Sequence, residues 1–141
     1  MILKILLVDD HSMFRNCLAR MLDGQPHLKV VSQADDGRQA VHFMKDCDVS
    51  SIPDVVVIDF SMRDLCGAEA TRQILALRPT THILTLSAHD DCAYVTAMFN
   101  AGCQGYICKY DPLAELVHAI GEVAAGRNYV SKAIAPISLR I

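Results

Sequence analysis

The sequence predicts an α/β domain in which five parallel strands form one sheet and helices cover both of its faces. Short apolar runs, of which DVVVI at 54–58 is the clearest, alternate along the chain with segments whose apolar residues recur at helical spacing. Uninterrupted apolar strands are typical of parallel sheets buried on both faces, and parallel neighbours need helical crossovers. With right-handed crossovers, the result is a doubly wound domain.

The elements follow one another as five strand–helix units. Strands are predicted at 2–8, 28–31, 54–58, 82–86 and 105–108. Helices are predicted at 12–22, 38–45, 67–77, 92–101 and 113–125. Proline or glycine marks most of the boundaries, and Asp111-Pro112 offers the last helix an N-cap and a proline at its first position.

The region after Gly126 contains Pro136 and has no strong hydrophobic period. We therefore divide the chain into a domain at 1–127 and a C-terminal segment at 128–141, which we interpret as a terminal segment or the start of a linker. The 141 residues, 52% of them hydrophobic, fit one domain with a single core.

The composition excludes several classes of function. The formal net charge of -3, without clustered Lys and Arg, argues against direct nucleic-acid binding by this segment. No run approaches the roughly 20 apolar residues of a membrane span, and no secretory signal is indicated. The six cysteines include no C-x-x-C pair, so a zinc site is not indicated. We expect reduced thiols and a cytoplasmic protein.

Polar residues follow four of the predicted strands. Ligands of doubly wound sheets bind outside the carboxyl ends of the strands, so these residues are expected to meet at one edge. Taken singly, each is better explained as a turn, cap or solvated residue, because such short motifs are weak signals. Together they become a candidate site, which consists of Asp9, Asp10, Asp59, Ser87 and Lys109.

The chemistry of this set is coherent. Carboxylates that lie close together raise one another's pKa unless a cation offsets them. Carboxylate oxygens are the ligands that Mg²⁺ prefers, and Mn²⁺ shares that preference. A metal site beside a hydroxyl and a lysine suits phosphoryl transfer, in which a carboxylate can itself be the nucleophile and form an acyl phosphate.

These residues resemble the receiver domain of two-component response regulators. The resemblance spans 2–127 and rests on LLVDDH, the Asp59 strand end, Leu86-Ser87-Ala88, Tyr106-Ile107-Cys108-Lys109 and ADDGRQAV at 34–41. It implies a flavodoxin/CheY-like strand order of 2-1-3-4-5. The tail KYDPLAELVHAIGEVAAGRNYVS resembles the NarL/FixJ (LuxR-type) subfamily, in which a helix-turn-helix DNA-binding domain normally follows a linker. We favour a receiver cut from a longer transcription factor over a natural stand-alone receiver.

The resemblance also implies roles. Asp59 accepts a phosphoryl group from a phosphohistidine of a sensor histidine kinase, while Asp10, Asp59 and the backbone carbonyl of Ser61 ligate Mg²⁺. Asp9 acts on the metal through water and holds Lys109. Ser87 and Lys109 each contact a phosphoryl oxygen. Tyr106 is the aromatic switch, which turns inward as Ser87 moves toward the phosphoryl group. The implied partners are the kinase, the output domain and a second copy of the chain.

The match has departures near the phosphoacceptor. Arg63 and Cys66 stand where most receivers have Pro and an acid or Asn, which puts the dephosphorylation rate in doubt. Tyr110 replaces the common Pro, and we assume no cis peptide before it. Asp64 is interpreted as a solvated loop residue.

Three alternatives stay open at this point. In a Mg²⁺-dependent phosphatase of haloacid-dehalogenase type, Asp9 would be the nucleophile, although His11 stands where that family has a second Asp. A degenerate receiver would act only as an interaction module. A flavodoxin-like redox domain is disfavoured because no Gly/Ser/Thr-rich phosphate loop follows the first strand.

Overall fold

The computed structural model describes residues 1–132 and 134. The strands are β1 (Leu3–Val8), β2 (Leu28–Ala34), β3 (Val55–Ile58), β4 (His82–Ser87), β5 (Gly105–Cys108) and β6 (Tyr129–Val130). The helices are α1 (Ser12–Asp23), α2 (Gly37–Asp46), α3 (Gly67–Leu77), α4 (Cys92–Ala101) and α5 (Leu113–Ala124), with a 3₁₀ turn at Val49–Ser51. None of the helices in these ranges combines the length and the apolar character that crossing a bilayer requires.

All strands are parallel and lie in one sheet in the order β2-β1-β3-β4-β5-β6. The order predicted for the first five strands is confirmed, but the predicted number of five strands is wrong. The sixth strand pairs Tyr129 with Gly105 and Val130 with Tyr106. Two residues are too few to show alternation, so hydrophobic periodicity could not reveal this strand.

The predicted C-terminal segment therefore begins with a strand of the sheet. The Tyr129 backbone N–H donates to the Gln104 carbonyl at 3.0 Å, and the Ser131 N–H donates to the Tyr106 carbonyl at 3.1 Å. Residues 133 and 135–141, which include Pro136, lie outside the described residues. The division of the chain after residue 127 stays a prediction.

The core consists of two layers, one on each face of the sheet. Alternate residues of a strand point to opposite faces, so each buried strand contributes to both layers. Leu6, Val56 and Ile83 pack with buried residues of α2, α3 and α4. On the other face, Ile5 and Val57 pack with buried residues of α1 and α5. Covering both faces leaves the carboxyl ends of the strands as the place where polar side chains can gather.

The cap predicted for the last helix is wrong. Helix α5 begins at Leu113 and Pro112 occupies its N-cap position. The Asp111 carboxylate accepts instead from the Cys108 backbone N–H at 3.0 Å, and it closes the turn that leaves β5. By contrast, the Asp36 side chain caps α2, accepting from the Gln39 N–H at 2.9 Å.

Gly67, the first residue of α3, packs against the backbone that follows β3. A Cβ at this position would collide with the Asp59 carbonyl oxygen and would lie 2.8 Å from the Phe60 Cα. Because backbone cannot move aside cheaply, we expect Gly67→Ala to lower the free energy of unfolding in urea by about 2 kcal/mol.

Gly121→Ala in α5 is the matched control for that substitution. A Cβ there meets nothing within 4 Å, so helix propensity predicts a gain of about 0.5–1 kcal/mol. A Gly67→Ala variant as stable as the parent chain would contradict the close approach.

Candidate functional site

Neighbouring strands deliver the candidate residues to one edge of the sheet. Val8 lies beside Ile58, so the residues after β1 and β3 are adjacent, and the Asp59 N–H donates to the Val8 carbonyl at 3.0 Å. The Lys109 N–H donates to the Ser87 carbonyl at 3.0 Å across the ends of β4 and β5. The parallel register of the strands thus brings these residues to one edge of the sheet, as expected from their positions after the strands.

Lys109 joins two of the carboxylates. Its Nζ lies 2.7 Å from Asp9 Oδ2 and 3.2 Å from Asp59 Oδ2. The Lys109, Asp9 and Asp59 side chains are only 10%, 8% and 5% exposed. Burial alone would lower the pKa of Lys109, but the two carboxylates outweigh it and hold the pKa above its ordinary value. The ammonium also lies 4.9 Å from the centre of the Phe14 ring.

The third predicted acid completes a compact set of ligand atoms. Single donor atoms of Asp9, Asp10, Asp59 and His11 all lie within 4.8 Å of one another. Three of the four are carboxylate oxygens, which suit a small hard cation such as Mg²⁺. Burial is the largest influence on Asp59 and raises its pKa, Lys109 opposes this, and the Asp9 charge adds to it. These donors fit a divalent cation, which would relieve the crowding of negative charge.

The β3–α3 loop meets this set in two places. The Ser61 backbone N–H donates to Asp59 Oδ1 at 3.4 Å, and the predicted role of the Ser61 carbonyl as a metal ligand stays a prediction. Arg63, which is exposed, brings its Nε to 4.0 Å from Asp10 Oδ2. Asp64 is exposed, in agreement with its interpretation as a loop residue, and has a φ of 66°.

Ser87 and Tyr106 meet at the backbone of His89. The His89 N–H donates to Ser87 Oγ at 3.1 Å, and the Tyr106 hydroxyl donates to the His89 carbonyl at 2.6 Å. Both side chains are fully buried, so Tyr106 points inward in this structure. Burial raises the pKa of Tyr106 to about 12, although a hydrogen bond with Ser87 opposes the rise.

Arg15 is the supporting residue that sequence reasoning missed. It is buried, and its Nη1 lies 2.6 Å from the Asp9 carbonyl oxygen and 2.8 Å from Asp35 Oδ1. Its Nε donates to the Gln33 side chain at 2.9 Å. Arg15 therefore ties the end of β1 to the end of β2. The available signal was a charged residue adjoining the apolar stripe of the predicted helix at 12–22.

The raised pKa of Asp59 gives a testable pH dependence of stability. The folded state holds this proton more tightly than the unfolded chain, so ionising Asp59 costs stability. That cost is absent below the unfolded pKa and complete above the folded pKa. In the absence of divalent cations, Asp59→Asn should therefore gain stability relative to the parent as the pH rises from about 4 to 8. Urea unfolding of both proteins across this range measures the effect, and a pH-independent difference would contradict it.

Comparisons with known proteins agree with this geometry. The family model of the response regulator receiver domain matches residues 5–121. Response regulator GacA of Pseudomonas syringae pv. syringae is 37% identical over 133 residues, which cover 94% of this chain and 60% of that protein. Transcriptional regulatory protein DegU of Brevibacillus brevis is 35% identical over 128 residues, or 91% of this chain and 52% of that protein. The chain thus spans about half to three-fifths of the length of these curated relatives.

Solved structures give the same result. A two-component response regulator of the LuxR family from Aurantimonas sp. SI85-9A1 superposes with a TM-score of 0.90 at 34% identity, covering 99% of this chain and 98% of that one. The signal receiver domain of NarL from Mycobacterium tuberculosis gives a TM-score of 0.81 at 31% identity, covering 89% of this chain and 98% of that one. The chain belongs to the response regulator receiver domain family, in its NarL/FixJ (LuxR-type) branch.

Proposed function

We propose that this receiver takes a phosphoryl group on Asp59 and responds by a change of conformation. The observation that carries the proposal is the Lys109 ammonium, which contacts both Asp9 and Asp59 at the carboxyl edge of the sheet. Asp59 supplies a nucleophilic oxygen, and the buried ammonium of Lys109 supplies positive charge for the incoming phosphoryl group. Signalling of this kind is a switch and not metabolic catalysis.

The residues fit a resident divalent cation. Asp10, Asp59 and the Ser61 carbonyl are the expected ligands of Mg²⁺, or of Mn²⁺ in its place, with Asp9 acting through water. When bound, the cation neutralises charge on the phosphoryl oxygens and the carboxylates.

The side chains of this chain perform the transfer. As an Oδ of Asp59 forms its bond to phosphorus, the P–N bond of a kinase phosphohistidine breaks and the imidazole leaves with the bonding electron pair. Lys109 pairs with a phosphoryl oxygen, and Asp9 keeps the ammonium in place through their 2.7 Å contact. The Ser87 hydroxyl donates to another phosphoryl oxygen. Hydrolysis of the acyl phosphate by water resets the switch.

The conformational response runs through Ser87 and Tyr106. Both already contact the His89 backbone, so a shift of the Ser87 hydroxyl toward the phosphoryl group changes the surroundings of Tyr106. Moving a two-state balance from 1:99 to 99:1 needs about 5.5 kcal/mol of differential stabilisation. A few charge-assisted hydrogen bonds to phosphoryl oxygens are of that order. The surface formed by α4, β5 and α5 would carry the change to a second copy or to an output domain.

We propose a role for the whole protein from its relatives, which are longer than this chain. The relatives include regulators named as transcriptional, such as DegU. We infer a cytoplasmic transcriptional regulator in which a sensor histidine kinase phosphorylates this receiver and a DNA-binding domain acts as output. The net charge of -3 argues against direct DNA binding by this segment.

Mapping the adduct tests the proposal. The protein is treated with beryllofluoride and Mg²⁺, and the modified carboxylate is located by NMR. An adduct on Asp59 supports the receiver mechanism. An adduct on Asp9 would support the phosphatase alternative, and failure to bind either Mg²⁺ or beryllofluoride would support the degenerate receiver.

A further inference from the structure

His11 adds a nitrogen donor to the acidic set. Its Nδ1 lies 3.6 Å from Asp9 Oδ1 and 3.8 Å from Asp10 Oδ1. One of its ring nitrogens lies within 4.8 Å of a carboxylate oxygen of Asp59. Neighbouring ligands in an octahedron at about 2.1 Å from a metal are about 3.0 Å apart, and opposite ones about 4.2 Å apart. The four donors are therefore close to the spacing of one coordination sphere.

The imidazole is free to act as a ligand. His11 occupies the N-cap position of α1, but its side chain makes no capping hydrogen bond. The His11 backbone N–H donates to Asp9 Oδ1 at 2.8 Å, which fixes the residue beside the acids. The side chain is 75% exposed, while those of Asp9 and Asp10 are 8% and 18% exposed. The carboxylates thus form the floor of the site, and the imidazole lies on its solvent side, where rotation about its side-chain bonds can bring it closer.

We propose that His11 is an additional metal ligand. It would bind transition-metal cations that prefer imidazole, so the site offers these cations one more donor than it offers Mg²⁺. The inference rests on the proposed function, because it concerns the cation of the same site. Carboxylate and water suit Mg²⁺, whereas imidazole suits Fe²⁺, Ni²⁺ and Zn²⁺. The cation bound at the site would then depend on which cations are available, as well as on the three carboxylates.

The test compares Ni²⁺ with Mg²⁺ as probes. Calorimetric titration of untagged protein measures both affinities in the parent and in His11→Asn, a substitution that keeps a good N-cap residue for α1. Loss of a residue that only orients a ligand typically costs about 10–100-fold in metal affinity, so loss of a direct ligand should weaken Ni²⁺ binding at least 10-fold. Mg²⁺ affinity should stay within about twofold.

His42→Asn is the matched control, because His42 is 78% exposed on α2 and pairs with Asp46 away from the site. It should leave both affinities unchanged, and the same six cysteines are present in every variant. Equal Ni²⁺ affinity in His11→Asn and the parent would overturn the proposal. A parallel loss of Mg²⁺ and Ni²⁺ affinity would also overturn it, since His11 would then affect the whole site and not act as a selective ligand. Tighter Mg²⁺ binding would overturn it too, since His11 would then oppose the binding of a cation.

These outcomes are distinct from failure of the proposed function. Asp59→Asn should weaken the binding of both cations, because it removes one of the shared oxygen ligands. If the parent bound Mg²⁺ at a place that Asp59→Asn did not affect, the assignment of Asp59 would fail whatever the behaviour of His11.

Discussion

Asp59→Asn will abolish phosphoryl incorporation from acetyl phosphate in the presence of Mg²⁺. The amide has no anionic oxygen to attack phosphorus, and no other carboxylate of the site has the same surroundings. Asp9 lies closer to Lys109 than Asp59 does, at 2.7 Å against 3.2 Å, and Asp10 is the more exposed acid, near Arg63. Intact-mass measurement before and after incubation should show the added phosphoryl mass in the parent chain and none in the variant.

Asp64→Asn is the matched control for that loss. Asp64 lies in the same loop, is exposed, and belongs to no ion pair in the part of the chain that the structure describes. The variant should be phosphorylated to the parent level. Uptake by Asp59→Asn, with the label mapped to Asp9 or Asp10, would mean that the reactive oxygen has been assigned to the wrong strand.

Lys109→Met will destabilise the folded chain by about 3 kcal/mol in the absence of divalent cations. Removing one partner of a buried ion pair leaves its carboxylates uncompensated, and such losses are typically about 3–5 kcal/mol. Two carboxylates depend on this ammonium, at 2.7 and 3.2 Å. Urea unfolding measures the loss, and Mg²⁺ should restore more stability to the variant than to the parent because it supplies the missing positive charge.

Two comparisons isolate the cause of this loss. Lys29→Met, at an exposed position of β2, should change stability by less than about 0.5 kcal/mol. Lys109→Met combined with Asp59→Asn should be more stable than Lys109→Met alone, since one unpaired charge is then gone. A double variant less stable than the single one would contradict the explanation by unpaired charge.

The sequence predicted where the site residues lie better than it predicted the residues that hold them in place. Asp59 and Lys109 could be placed because each follows an apolar run, and parallel strands leave little freedom in where their carboxyl ends lie. Arg15 could not be placed in the same way. Hydrophobic periodicity shows that a helix face is buried, but not that a guanidinium on that helix will find the Asp9 carbonyl and the side chains of Gln33 and Asp35.

The same limit explains the other differences. Asp111 is a residue type that often caps helices, but its carboxylate accepts from the Cys108 N–H three residues upstream. The geometry of the turn decides between this hydrogen bond and a cap on α5. The inward position of Tyr106 depends on the His89 carbonyl of a neighbouring loop. Contacts of this kind join residues that are distant in sequence or belong to irregular backbone, where no repeating pattern reports them.

The short sixth strand covers the β5 edge of the sheet, and an uncovered edge is a risk for aggregation. Without this strand, β5 would be an edge strand that presents the unpaired carbonyls of Gln104 and Tyr106, a template for pairing with another chain. A fragment ended after residue 127 would expose that edge beside the buried Tyr106. Recombinant fragments that carry this receiver should therefore extend past Ser131, whose N–H donates to the Tyr106 carbonyl.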